Sequence, residues 1–98
     1  MKEVVLDKYG NSIYLTEERW QHILERHDEL SFLKEEVLKT VRVGKRRQDP
    51  LFPDTFYYHR ICSKLPSRFT HIEVVVIFRS KDEKPNNFVV TAYPVTRK

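Results

Sequence analysis

The chain predicts an α+β domain in which two N-terminal helices pack on an antiparallel sheet. Three observations lead there. Apolar residues recur every three to four positions in the first half and at every second position in the second half. Gly, Asn and Pro punctuate the boundaries between these stretches. With 98 residues, 40% hydrophobic and 33% charged, the sequence suits one soluble domain, residues 1–98, around a small core.

The elements follow in order. "EVVLD" and "SIYLT" are strand-like, and "KYGN" between them brings Gly10 and Asn11, which suit a tight turn. Thr16 is placed to cap a helix whose first turn holds Glu17 and Glu18. In that helix Trp20, Ile23, Leu24 and His27 share one face, while Arg19, His22 and Arg26 cluster on another. "HDEL" ends it. A second helix starts near Ser31, with Leu33, Val37 and Val41 at helical spacing and Phe32 and Leu38 widening the apolar stripe. It stops at Gly44. "RVGKRR" reads as a cationic loop, and Pro50 and Pro53 make the next segment irregular. Three strands follow: "TFYYHRIC", "THIEVVVIFR" and "FVVTAYPV", the last two joined by the hairpin loop "SKDEKPNN". In the central strand the even positions are the core face and the odd ones form a face polar at both ends. Helices before a run of strands leave the second sheet face open for a ligand.

Several classes are excluded. There is no signal-peptide pattern and no run near the ~18 apolar residues of a membrane span, so the expected location is cytoplasmic with no membrane partner. One cysteine, Cys62, allows neither an internal disulfide nor a thiolate zinc site, and it reads as a small buried residue. GxGxxG, Walker and HExxH motifs are absent. His22 and His27 lie about 500° apart round a regular helix, which sets them on different sides and argues against a shared metal. No cofactor and no metal is expected.

The net charge is +4 and the isoelectric point about 9.3, a bias toward polyanionic partners. "RVGKRR" packs four cations into six positions, Arg42, Lys45, Arg46 and Arg47. Histidines, arginines, tyrosines and one strand glutamate suit RNA cleavage without metal. That chemistry needs a base for the 2′-hydroxyl, an acid for the leaving oxygen and cations for the phosphate. Each group also has an ordinary reading: His27 as a buried ring satisfied by a carbonyl, His22 as a solvent-facing side chain, the tyrosines as cross-strand packing. Tyr58 and Arg60 share one strand face, Tyr57 and His59 the other.

"IYLTEERWQHILERHDEL", followed by "EEVLKTV", "DTFYYHRI", "IEVVVIF" and "FVVTAYPV", resembles the phage-type branch of the Barnase–EndoU–colicin–RelE-like nucleases over nearly the whole chain. Its most specific parts are "W-x-H-I-x-x-R-H" and "T-A-Y-P". The resemblance implies a RelE/barnase-like fold and a metal-independent endoribonuclease acting by acid/base transesterification, such as the toxin of a toxin–antitoxin or phage-related system. It further implies RNA as partner, transfer or messenger RNA, and an acidic antitoxin or immunity protein. The catalytic set carried over is His22, His27, Arg60, Thr91 and Tyr93. The RNA- and phosphate-binding set is Arg26, Arg42, Lys45, Arg46, Arg47, Tyr58 and Arg79. The alternatives are a non-catalytic RNA-binding module and a protein-interaction domain of the same fold.

Overall fold

A computed structural model describes residues 2–97. The chain opens with the hairpin β1 (Lys2–Leu6) and β2 (Ser12–Thr16), then forms α1 (Glu17–Arg26), a 3-10 turn at Asp28–Leu30 and α2 (Lys34–Val43). The strands β3 (Lys45–Gln48), β4 (Thr55–Ile61), β5 (His71–Ile77), β6 (Ser80–Lys81), β7 (Lys84–Pro85) and β8 (Asn87–Val95) complete it. Six of the strands make one sheet in the order β1-β2-β8-β5-β4-β3, and β6 and β7 form a small separate ribbon at a hairpin tip. The fold is α+β with two helices.

The sheet is mixed rather than antiparallel. β2 runs parallel to β8 and pairs with it through Ile13↔Asn87 and Tyr14↔Phe88, whereas every other neighbouring pair is antiparallel. β2 and β8 are the strands farthest apart in sequence among the pairs, and local pattern carries no signal for their direction. "RVGKRR" is also more than a loop. α2 ends at Gly44 in extended backbone, φ −71° and ψ 160°, and the chain runs directly into β3, the cationic edge of the sheet. Charged side chains on an edge strand discourage pairing with other chains.

α1 forms as its sequence requires. Thr16 Oγ1 accepts the Arg19 backbone N–H at 3.0 Å, Glu17 and Glu18 occupy the first turn, and Trp20 and Ile23 are buried. α2 begins three residues later than its apolar letters suggest. Phe32 adopts φ +66° and is fully exposed, so it lies outside the helix and outside the core.

α2 packs on β4 and β5, and its Val37 and Val41 join Tyr58, Ile72, Val74 and Val76 in a core where all six are fully buried. Cys62 is buried beside it. Gly44 is needed here for space rather than for its dihedrals. A Cβ at this position would stand 2.4 Å from the Thr40 carbonyl oxygen and 2.7 Å from that of His59, both backbone atoms. Gly44→Ala is therefore expected to cost about 1–3 kcal/mol through overpacking, read as a lower urea midpoint with an unchanged slope.

Asp7 ties the hairpin to the sheet. Its Oδ1 accepts the backbone N–H groups of Tyr9 and Asn11 at 2.9 and 2.8 Å, its Oδ2 accepts Asn11 Nδ2 at 3.0 Å, and the Tyr58 hydroxyl donates to it from β4. Burial raises the Asp7 carboxyl, but these hydrogen bonds outweigh it and hold the group below its usual range. Gly10 takes φ +88° in the turn, the left-handed region that favours glycine.

Candidate functional site

Two surfaces meet along β8. The first arises because β2 pairs only with the start of β8. Beyond Tyr14 and Phe88 the two strands no longer pair; β2 ends at Thr16 and the chain enters α1, which packs against β8. A bulge at the same place shifts the register, so that Val75 faces Thr91 while Val76 faces Val89, leaving Val90 as the extra residue. Between α1 and this stretch lies a cleft of about 310 Å³ lined by Arg19, His22, Ile23, Arg26, Val90 and Thr91. Its chemistry is two guanidinium groups, one imidazole and one hydroxyl. His22 Nδ1 lies 3.8 Å from Glu25 Oε2, a carboxylate one helical turn away that can orient the ring and leave Nε2 for proton transfer.

The second surface is the sheet face away from α2. Direct cross-strand partners form a row, Lys45 on β3, His59 on β4, Glu73 on β5 and Tyr93 on β8. A neighbouring row runs Arg47, Tyr57, Val75 and Thr91. Glu73 sits low in this face, 5% exposed, and its Oε1 accepts from Arg47 Nη2 at 3.2 Å and Arg97 Nη2 at 3.3 Å. Burial, and after it the Glu73 carboxylate, pushes the Tyr93 phenol up to about 12. Burial, and after it Arg97, lowers His59 below the ordinary imidazole value.

Several residues expected at a site converge here. His22, Arg26 and Thr91 line the cleft. Tyr93 and Arg47 lie on the open face, and Lys45 stands at its edge opposite His59. His27 is half-buried and forms the C-cap of α1, its backbone N–H donating to the Ile23 carbonyl. The helix ends at Arg26, His27 takes φ −138°, ψ 71°, and its ring centroid lies 5.9 Å from that of Tyr93. His27 thereby bridges the end of α1 and the open face.

Others go elsewhere. Tyr58 is fully buried with its hydroxyl on Asp7, so no base can stack on it, and burial followed by Asp7 pushes its phenol far up. Arg46 is folded inward. Its guanidinium lies 4.2 Å over Tyr9 and 4.4 Å over Phe56, with Nη1 3.3 Å from the Tyr58 hydroxyl and 3.8 Å from Asp7 Oδ2. Arg60 shares the helix-covered face with Tyr58 and is fastened to α2. Its Nη2 donates to the Glu36 carbonyl at 2.9 Å and to Glu36 Oε1 at 2.8 Å. Arg79 lies at the far end of β5, 3.6 Å from Asp54. Arg42 is half-buried in the last turn of α2, away from both surfaces.

The Glu36 cluster predicts a pH effect on stability. Hydrogen bonds from Arg60 and then Lys64 lower the Glu36 carboxyl from its ordinary 4.5 to about 2. A carboxyl depressed on folding adds stability that is fully present above pH 4.5 and disappears as the pH falls through about 2. Thermal midpoints of the wild type should fall across that window, and those of Glu36→Gln should fall less steeply.

The sequence reading missed His59, Glu73 and Arg97 as parts of one surface. The available signal was strand alternation, since the odd positions of β5 and the Tyr57/His59 face of β4 are both opposite the apolar face. Among the described residues no three His, Cys, Asp or Glu side chains are grouped as a metal ion would require, and no helix is long and apolar enough to cross a membrane. Comparison with protein-family models, with curated proteins and with solved structures returned no match.

Proposed function

We propose that this protein is a metal-independent endoribonuclease whose reaction takes place in the cleft between α1 and β8. One observation supports this above the rest. Arg19, His22 and Arg26 from the first helix and Thr91 from the last strand line the same cleft, and all four belong to the stretches that resemble the nuclease family, three of them to its two most specific motifs. A RelE/barnase-like arrangement of the two helices on the sheet is part of the same proposal.

In this mechanism His22, with the Glu25 carboxylate 3.8 Å from its Nδ1, takes the proton of a ribose 2′-hydroxyl. The 2′-oxygen then attacks the adjacent phosphorus, and the bond to the 5′-oxygen breaks as that oxygen gains a proton. The products are a 2′,3′-cyclic phosphate and a free 5′-hydroxyl. Arg19 and Arg26 hold the phosphate oxygens, where two guanidinium groups neutralise the charge that builds up in the transition state. Thr91 donates a hydrogen bond to one of those oxygens. His27, backed by Tyr93, protonates the leaving oxygen. Such a cationic cleft suits an acidic antitoxin or immunity protein as its natural inhibitor.

The roles separate by kinetics. In EDTA, Arg26→Ala should lower kcat/KM for a transfer RNA or a synthetic RNA about 10²-fold or more, as the loss of one preorganised donor does elsewhere. Thr91→Val should lower it about tenfold. Cleavage at wild-type rate by both variants would remove this cleft from the mechanism.

A further inference from the structure

We propose that Phe32 of one copy of this protein inserts into the groove lined by Val43 and Ile61 on a second copy, so that the chain assembles with itself head to tail. The contact uses no residue of the α1–β8 cleft and does not depend on the cleavage reading.

Phe32 is held out rather than left loose. Leu30 before it is fully buried, and Leu33 after it packs against the core. The Leu33 N–H donates to the Leu30 carbonyl at 2.9 Å, and the Ser31 N–H to the Asp28 carbonyl at 3.0 Å. Between these anchors Phe32 takes φ +66°, left-handed backbone that is unfavourable for a bulky residue, and is fully exposed to water. A partner that covers the ring removes the unfavourable exposure of its apolar surface.

The same chain offers a place for that ring. A groove of about 340 Å³ opens where α2 ends beside β4 and β5. Its apolar lining is Val43 and Ile61, which are 51% and 69% exposed, and His59 and His71 lie alongside, His71 as the direct cross-strand partner of Ile61. An apolar cavity of about 150 Å³ suffices for benzene, so the groove has room for one phenyl ring. Charge matches as well. Lys45 lines the groove and is exposed, while the carboxylates near it, Glu36 and Glu73, are each held by two cations. Phe32 is flanked by two exposed acids, Asp28 four residues before it and Glu35 three after. Lys34, the basic residue nearest to it in sequence, is taken up by Glu3 and Glu17 at 3.1 Å each. An apolar plug with an acidic surround thus faces a groove with a basic one, which fixes partner and orientation.

A chain cannot fill its own groove. Phe32 precedes α2 and Val43 is the last residue of that helix, so about 15 Å of helix separates the two, beyond the reach of one ring. The contact joins two different surfaces, and each added copy leaves a ring free at one end and a groove free at the other. Such heterologous contacts build rings or open chains rather than closed pairs. The area covered is small, which places the assembly among weak, concentration-dependent ones.

The test is sedimentation equilibrium of the full chain from micromolar to millimolar concentration. The wild type should pass from monomer beyond dimer as concentration rises. Phe32→Asn removes the ring and keeps the turn, because Asn accepts left-handed backbone, so its thermal midpoint in dilute solution should equal or exceed that of the wild type. Ile61→Glu and, separately, Val43→Glu put a charge into the groove and keep the ring. Each variant alone should weaken association about tenfold or more. An equimolar mixture of the Phe32→Asn chain with either groove variant should form a dimer and stop there, since only one intact ring and one intact groove can meet. A wild type that stays monomeric at every concentration overturns the proposal and leaves Phe32 to a foreign partner. So does an assembly that Phe32→Asn dissolves while both groove variants leave it intact, which marks a symmetric contact between two rings. A mixture that yields no dimer overturns it as well.

Discussion

Asp7→Ala is expected to lower the free energy of unfolding by about 3–5 kcal/mol, the range for removing one partner from a buried charged cluster. For a chain of this length that is a large part of the whole stability, about 0.05–0.15 kcal/mol per residue. The size follows from how many groups lose their partner together. The Tyr58 hydroxyl is left in a fully buried position without an acceptor, and the inward-folded Arg46 loses its nearest carboxylate. The hairpin turn also loses the carboxylate that binds Tyr9, Asn11 and, across the sheet, β4. Urea unfolding followed by far-ultraviolet circular dichroism measures the change. Tyr58→Phe on its own keeps the ring and should cost far less, and its coupling with Asp7→Ala in a double-mutant cycle should be strong. A loss under 1 kcal/mol for Asp7→Ala would mean that the cluster is not a structural anchor.

His22→Ala is the substitution with the largest expected effect on activity, a fall of about 10²–10⁴-fold in RNA cleavage, as general acid–base groups commonly contribute. The His22 side chain is 57% exposed, so its removal should leave the thermal midpoint within about a degree of wild type. Glu25→Gln keeps the imidazole and removes only the carboxylate at 3.8 Å, and it should lower the rate far less. A structural role for His22 would move the thermal midpoint together with the rate.

Local chemistry made parts of this molecule readable from sequence. Thr16 with Glu17 and Glu18 announces α1, and the alternation through Ile72, Val74 and Val76 announces β5 and its buried face. β3 was hidden because Lys45, Arg46 and Arg47 look like a solvated run, and only pairing with Tyr57, Tyr58 and His59 makes them a strand. The parallel β2–β8 contact was hidden because it joins residues from opposite ends of the chain. Phe32 misled for a different reason, an apolar residue in left-handed backbone pointing to solvent. At the site, His22, Arg26 and Thr91 were readable through the motifs that contain them. Tyr58 and Arg60 were not distinguishable from Tyr57 and His59 by alternation, since each face of β4 offers one tyrosine and one basic residue. Register decides between them: Tyr58 and Arg60 pair with Val74 and Ile72 on the side α2 covers, and Tyr57 and His59 pair with Val75 and Glu73 on the open side.

The account rests on transesterification in the α1–β8 cleft, and the chemistry of the cut ends tests it most directly. A single-stranded RNA incubated with the purified chain in excess EDTA should yield fragments ending in 2′,3′-cyclic phosphate and beginning with 5′-hydroxyl, and His22→Ala should yield almost none. Intact RNA after prolonged incubation with the wild type, or the same fragments at the same rate from His22→Ala, would contradict it.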